Sequence, residues 1–92
     1  MKHKYNPYTG KLEPVGDDSW ELRYNPVEQR YEYAPPDAKL EYNPLSGEYV
    51  FAPPNSKLRY NVFNSSYELV PDSWSCEYDP VNQEYKYLPK KS

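Results

Sequence analysis

Tyr-Asn-Pro occurs at Tyr5-Asn6-Pro7, Tyr24-Asn25-Pro26 and Tyr42-Asn43-Pro44, and variants follow at Tyr60-Asn61-Val62 and Tyr78-Asp79-Pro80. The tyrosines step by 19, 18, 18 and 18 residues. A fixed period of this length restricts the chain to copies of one small unit that gains its stability from its neighbours. Five copies fill residues 1–92 as a single repeat domain, with units at about 3–19, 20–37, 38–55, 56–73 and 74–90. The second and fifth units match most closely. Asp18-Ser19-Trp20, Tyr24, Pro26, Val27, Gln29, Tyr31, Tyr33 and Pro35 all recur 54 residues later.

One unit reads as a β-hairpin. Leu22 and Tyr24 alternate with Glu21 and Arg23, and Tyr31 and Tyr33 alternate with Arg30 and Glu32. Such alternation, rich in aromatic residues, predicts two half-buried strands. Between them, Asn25-Pro26 suits a type I turn, because proline presets φ and the asparagine side chain can bond the backbone. The last loop residue is then left-handed: Gly10 and Gly47 in two copies, Gln29, Ser65 and Gln83 in the others. On this register Tyr24 faces Tyr31 and Leu22 faces Tyr33. Proline recurs too often for helices, with 11 in the chain. The links are too short for crossovers, so successive strands run antiparallel.

The predicted fold class is all-β. It is an antiparallel meander of five ~18-residue hairpins, about ten short strands, curled or stacked over a Tyr/Leu face. Leu22, Tyr24, Tyr31, Tyr33 and their equivalents form that face, which is expected to turn inward. The opposite face is expected outside, where strand centres Arg23, Glu41, Arg59 and Glu77 alternate in sign and should offset one another between units. Two links carry double prolines, Pro35-Pro36 and Pro53-Pro54, and two carry Asp-Ser-Trp, ending at Trp20 and Trp74. The indole is expected to cover the space that the second proline ring covers elsewhere. The first unit is degenerate, with Leu12 and Pro14 in place of the paired tyrosines.

Composition removes most chemistry. The formal net charge of −3 disfavours nucleic-acid binding, which needs clustered Lys and Arg. The small basic clusters at the ends, Lys2/Lys4 and Lys90/Lys91, read as solvated tails. Cys76 is the sole cysteine and stands where Leu22, Leu40 and Leu58 stand in sibling units, so it reads as a small buried hydrophobe. His3 is the only histidine and is read as part of the N-terminal tail, out of reach of any nucleophile or metal set. No enzyme, cofactor or metal is expected. The sequon Asn64-Ser65-Ser66 reads as turn chemistry. No apolar run is long enough to span a membrane, and no leader is read at the start. These features give an expected cytoplasmic or virion-associated location.

What remains is a non-enzymatic structural or interaction module, acting by aromatic and proline contacts on a protein partner or by self-association. A carbohydrate-binding repeat with sugars stacked on aromatic rings is the alternative. The candidate surface is Trp20, Trp74 and the loop residues Tyr8, Val27, Leu45, Phe63 and Val81, apolar at one repeat position in all five copies. Packing of those loop residues on neighbouring turns is the competing reading.

The segment Tyr5-Asn6-Pro7-Tyr8-Thr9-Gly10-Lys11-Leu12-Glu13 resembles one that recurs in small phage and bacterial proteins, which implies a viral or accessory origin. Tyr78-Asp79-Pro80-Val81-Asn82-Gln83-Glu84-Tyr85 resembles the aromatic octamer of OCRE domains. Those are tyrosine-rich antiparallel sheets that bind proline-rich peptides; their repeat is 8 residues, whereas this chain repeats every 18. The hairpin repeats of choline-binding modules are similar in length and aromatic content but are rich in Gly and Trp, as this chain is not.

Overall fold

A computed structural model describes residues 1–90; Lys91, read above with Lys90 as a basic end, lies outside the described residues. Ten strands form five antiparallel hairpins: β1 (Lys2–Asn6) with β2 (Lys11–Val15), β3 (Glu21–Asn25) with β4 (Arg30–Ala34), β5 (Lys39–Asn43) with β6 (Glu48–Ala52), β7 (Lys57–Asn61) with β8 (Ser66–Val70), and β9 (Trp74–Asp79) with β10 (Glu84–Pro89). The expected register holds, with Tyr24 opposite Tyr31 and Leu22 opposite Tyr33. The five loop-closing residues all have positive φ: 74° at Gly10, 76° at Gly47, and 55° at Gln29, Ser65 and Gln83. Each hairpin is its own two-stranded sheet, and side chains join it to the next. No helix of the described residues is long and apolar enough to cross a membrane.

The joints repeat. The turn asparagine of each of the first four hairpins donates through Nδ2 to a carbonyl on the second strand of the following hairpin: Asn6 to Tyr31 (3.0 Å), Asn25 to Tyr49 (2.9 Å), Asn43 to Tyr67 (2.8 Å) and Asn61 to Tyr85 (3.2 Å). The fifth hairpin then meets the first. Asn82 Nδ2 donates to the Leu12 carbonyl (2.8 Å), and His3 Nε2 lies 2.7 Å from Asp79 Oδ1. Gly16 is packed so tightly that a Cβ there would stand 2.7 Å from the Pro89 ring. The five hairpins therefore close into a ring measuring 30 × 28 × 23 Å. Second strands approach one another around it, β2 beside β4 and β6 beside β8, so they lie toward the axis and the first strands outside.

Closure corrects three expectations. Every hairpin has a neighbour on both sides, so each of its faces is covered over part of its area and no simple Tyr/Leu interior with a charged exterior exists. Lys4, Arg23 and Arg59 lie over the rings of Tyr33, Phe51 and Tyr87 in the following hairpin, at 6.0, 4.5 and 4.6 Å from the centroids. The buried residues include Asn6, Asn25, Asn43, Asn61 and Asp79, all 0–2 % exposed, Ala38 at 1 %, and Val15, Ala34, Ala52, Val70 and Leu88 at or next to the ends of the second strands. Buried amides are tolerated because each finds partners, whereas tyrosine keeps its hydroxyl near water.

Secondly, Arg23 and Arg59 do not balance Glu41 and Glu77. Each guanidinium donates to two link carbonyls, Arg23 to Pro35 and Ala38, Arg59 to Pro71 and Trp74. Link carbonyls turned away from any ladder need donors, and a cation supplies the stronger bond. Thirdly, His3 is not in a tail. It sits in β1 at the position that Leu22 occupies in β3 and helps to close the ring.

Trp20 and Trp74 share one repeat position with Ala38 and Ser56. They stack on each other, centroids 5.5 Å apart, in a core cluster with Val15 and Leu88.

Candidate binding rim

At the loop end of the ring, one local design recurs five times. The turn asparagine, or Asp79, accepts through Oδ1 the N–H of the residue two positions on: Tyr8, Val27, Leu45, Phe63 and Val81 at 2.9–3.1 Å. This side-chain turn lifts each of those residues to a loop tip. All five tips are 51–63 % exposed.

The tips also pack. Tyr8 stacks on Tyr31 of the next hairpin with centroids 3.9 Å apart and planes at 10°. Phe63 stacks on Tyr85 at 3.7 Å and 12°. Each of those tyrosines leans in turn on its cross-strand partner: Tyr24–Tyr31 at 5.0 Å and Tyr78–Tyr85 at 5.1 Å, tilted by 49° and 56°. Two three-ring clusters result, Tyr8–Tyr31–Tyr24 and Phe63–Tyr85–Tyr78. Pairs of the same kind stand at Tyr42–Tyr49 and Tyr60–Tyr67, 5.2 and 5.0 Å apart. The two readings of the loop tips are thus compatible, since stacking uses one ring face and leaves the rest in water.

Sequence reasoning missed the first-strand tyrosines as surface groups. Tyr24, Tyr42, Tyr60 and Tyr78, expected on the inward face, are 48–51 % exposed, and Tyr5 of the first unit is 56 % exposed. The available signal was their identity in all five copies while core positions vary between Val, Ala and Leu. Trp20 and Trp74 are not at this rim; they lie in the core toward the link end.

Polar groups border the rim sites. Arg30 Nε binds Glu32 at 2.9 Å and its Nη1 lies 3.6 Å from Glu48. Burial alone would lower the Arg30 pKa, but these two carboxylates and Glu28 raise it. Asn64 serves its turn region by donating to the Tyr85 carbonyl (3.0 Å). Asn82, one unit later, makes the equivalent bond to Leu12. Cys76 is half-buried, and burial, then Glu68, push its thiol pKa up, so the thiolate is disfavoured. Among the described residues, no group of three His, Cys, Asp or Glu side chains is placed to hold a metal.

No family model, curated protein or solved structure matches the chain.

Proposed function

We propose that this protein is a non-enzymatic interaction module that holds a protein partner through the aromatic rim. The observation that carries the reading is fivefold: every hairpin exposes an apolar loop tip and, three residues before it, a half-exposed tyrosine, at equivalent positions in all five units. Tyrosine is favoured where binding energy concentrates, because a stiff, large ring with a polar end buries much area at little entropic cost. Five weak sites on one rigid ring suit a partner that repeats its own contact segment, since linked sites add avidity without new contacts.

The Tyr8–Tyr31–Tyr24 and Phe63–Tyr85–Tyr78 clusters also favour a second reading, in which sugar rings stack on the open aromatic faces.

Fluorescently tagged full-length protein would be applied to a peptide array and a glycan array, beside the double variant Leu45→Ser/Phe63→Ser. Peptide binding that weakens about 10-fold or more in a variant of unchanged fold supports the protein-partner reading. Binding to glycans alone moves the assignment to carbohydrate. Peptide binding that the variant retains in full removes the rim.

A further inference from the structure

A cavity of about 340 Å³, partly open to solvent, lies within the ring. It is bordered by β4, β6, β8 and β10 and by Trp20 and Trp74, elements spaced around the ring, so it lies on the axis. Its size falls within the roughly 300–1,000 Å³ of small-molecule sites. The stacked indoles also border a second space on the link side, with Asp17, Asp37 and Pro89, so they form a partition across the axis.

The walls are acidic and aromatic. Glu32, Glu48 and Glu68 line the cavity with Lys86, and Tyr33, Phe51 and Tyr87 supply rings. Arg30 pairs with Glu32 and stands 3.6 Å from Glu48, so among the described residues Glu68 is the lining carboxylate without a cation partner. Repeat comparison shows where this bias arises. One second-strand position carries Glu13, Glu32, Val50, Glu68 and Lys86, and three cations of the first strands are committed elsewhere. Lys4, Arg23 and Arg59 bind link carbonyls and cover neighbouring rings. Glu68 receives one bond from Asn61 (2.8 Å), and Glu32 receives one from Asn25 (3.1 Å) and one from Arg30 (2.9 Å). A carboxylate offers about four acceptor sites, so capacity remains.

We propose that this axial cavity binds a small organic cation, an alkylammonium with an apolar stem. The ammonium would complement Glu68 and the open acceptor sites of Glu32 and Glu48, and the stem would lie on the indole rings, which attract cations as well as apolar groups. An anion would meet the unpaired Glu68 carboxylate, and a neutral apolar guest would desolvate it without compensation.

The two tryptophans of the chain, both lining the cavity, provide the probe. n-Hexylammonium, 1-hexanol and hexanoate would be titrated at low ionic strength while indole emission is followed. A saturable change is expected with the ammonium alone. Glu32→Gln/Glu68→Gln keeps acceptors for Asn25 and Asn61 and should weaken it about 10-fold or more. Lys86→Met, which removes the competing cation, should tighten it several-fold. Absence of a saturable change would overturn the proposal. So would an equal response to hexanol, or an affinity indifferent to both the carboxamide and the Lys86 substitutions.

Discussion

Asn43 shows how much one buried side chain carries. Its Oδ1 accepts the N–H groups of Leu45 and Ser46, at 3.0 and 3.2 Å, and its Nδ2 donates to Tyr67 in the following hairpin. One residue therefore shapes its own turn and fixes the next unit. The turn role was legible, because asparagine before proline is a local signal. The bridging role was not, because it depends on which carbonyl another hairpin places against the amide. Asn43→Ala leaves buried donors and an acceptor unpaired and should cost about 2–4 kcal/mol, measured by urea unfolding. Asn43→Asp keeps the turn and loses the bridge. It should destabilise more at pH 7 than at pH 3, since the new carboxylate faces a carbonyl when ionised. An aspartate variant as stable as wild type at both pH values would contradict the bridge.

The hairpin is the element that sequence specifies best. Period-two alternation, the Asn-Pro start and the left-handed closing residue are local, and the strands, register and positive φ values follow them. Three of the five hairpin-closing residues, all left-handed, are not glycine, and an L residue there costs about 1–2 kcal/mol. Glycine removes that strain but loses backbone entropy on folding. The net expectation for Gln29→Gly is a gain of about 0.5–1 kcal/mol, read as a higher urea midpoint with unchanged slope. What alternation could not reveal was which face meets water. Two covered faces produce the same pattern as one covered face, provided the second is covered by long polar chains that pack along their stems. Arg23 on Phe51 and Arg59 on Tyr87 are such chains.

Closure belongs to the molecule as a whole and uses different chemistry from the other joints. At the fifth joint Asp79 stands where asparagine stands elsewhere, fully buried against His3, and Asn82 supplies the donor that an aspartate lacks. Burial alone would raise the Asp79 pKa. Bonds from Asn82, His3 and the N–H groups of Val81 and Asn82 outweigh it and hold the carboxyl below its ordinary value. A depressed carboxylate stabilises the fold fully above its unfolded pKa, about 4, and this contribution is lost as pH falls through the lower folded value. Asp79→Asn should therefore show a shallower loss of stability than wild type as pH is lowered from about 5 to about 2. Urea midpoints that fall in parallel for the two proteins would remove Asp79 from the acid response.

The repeat, the hairpins, the turn conformations and the opposition of Tyr24 to Tyr31 were written in short stretches of chain, because each depends on residues within one unit. The ring, the half-exposed tyrosines and the axial cavity were not. They depend on the rotation accumulated over five hairpins, which brings His3 to Asp79 across 76 residues and Gly16 against Pro89. The angles at the joints carry no signature in composition or period. Only their sum decides whether the ends meet, and meeting is what gives every hairpin a neighbour on both sides.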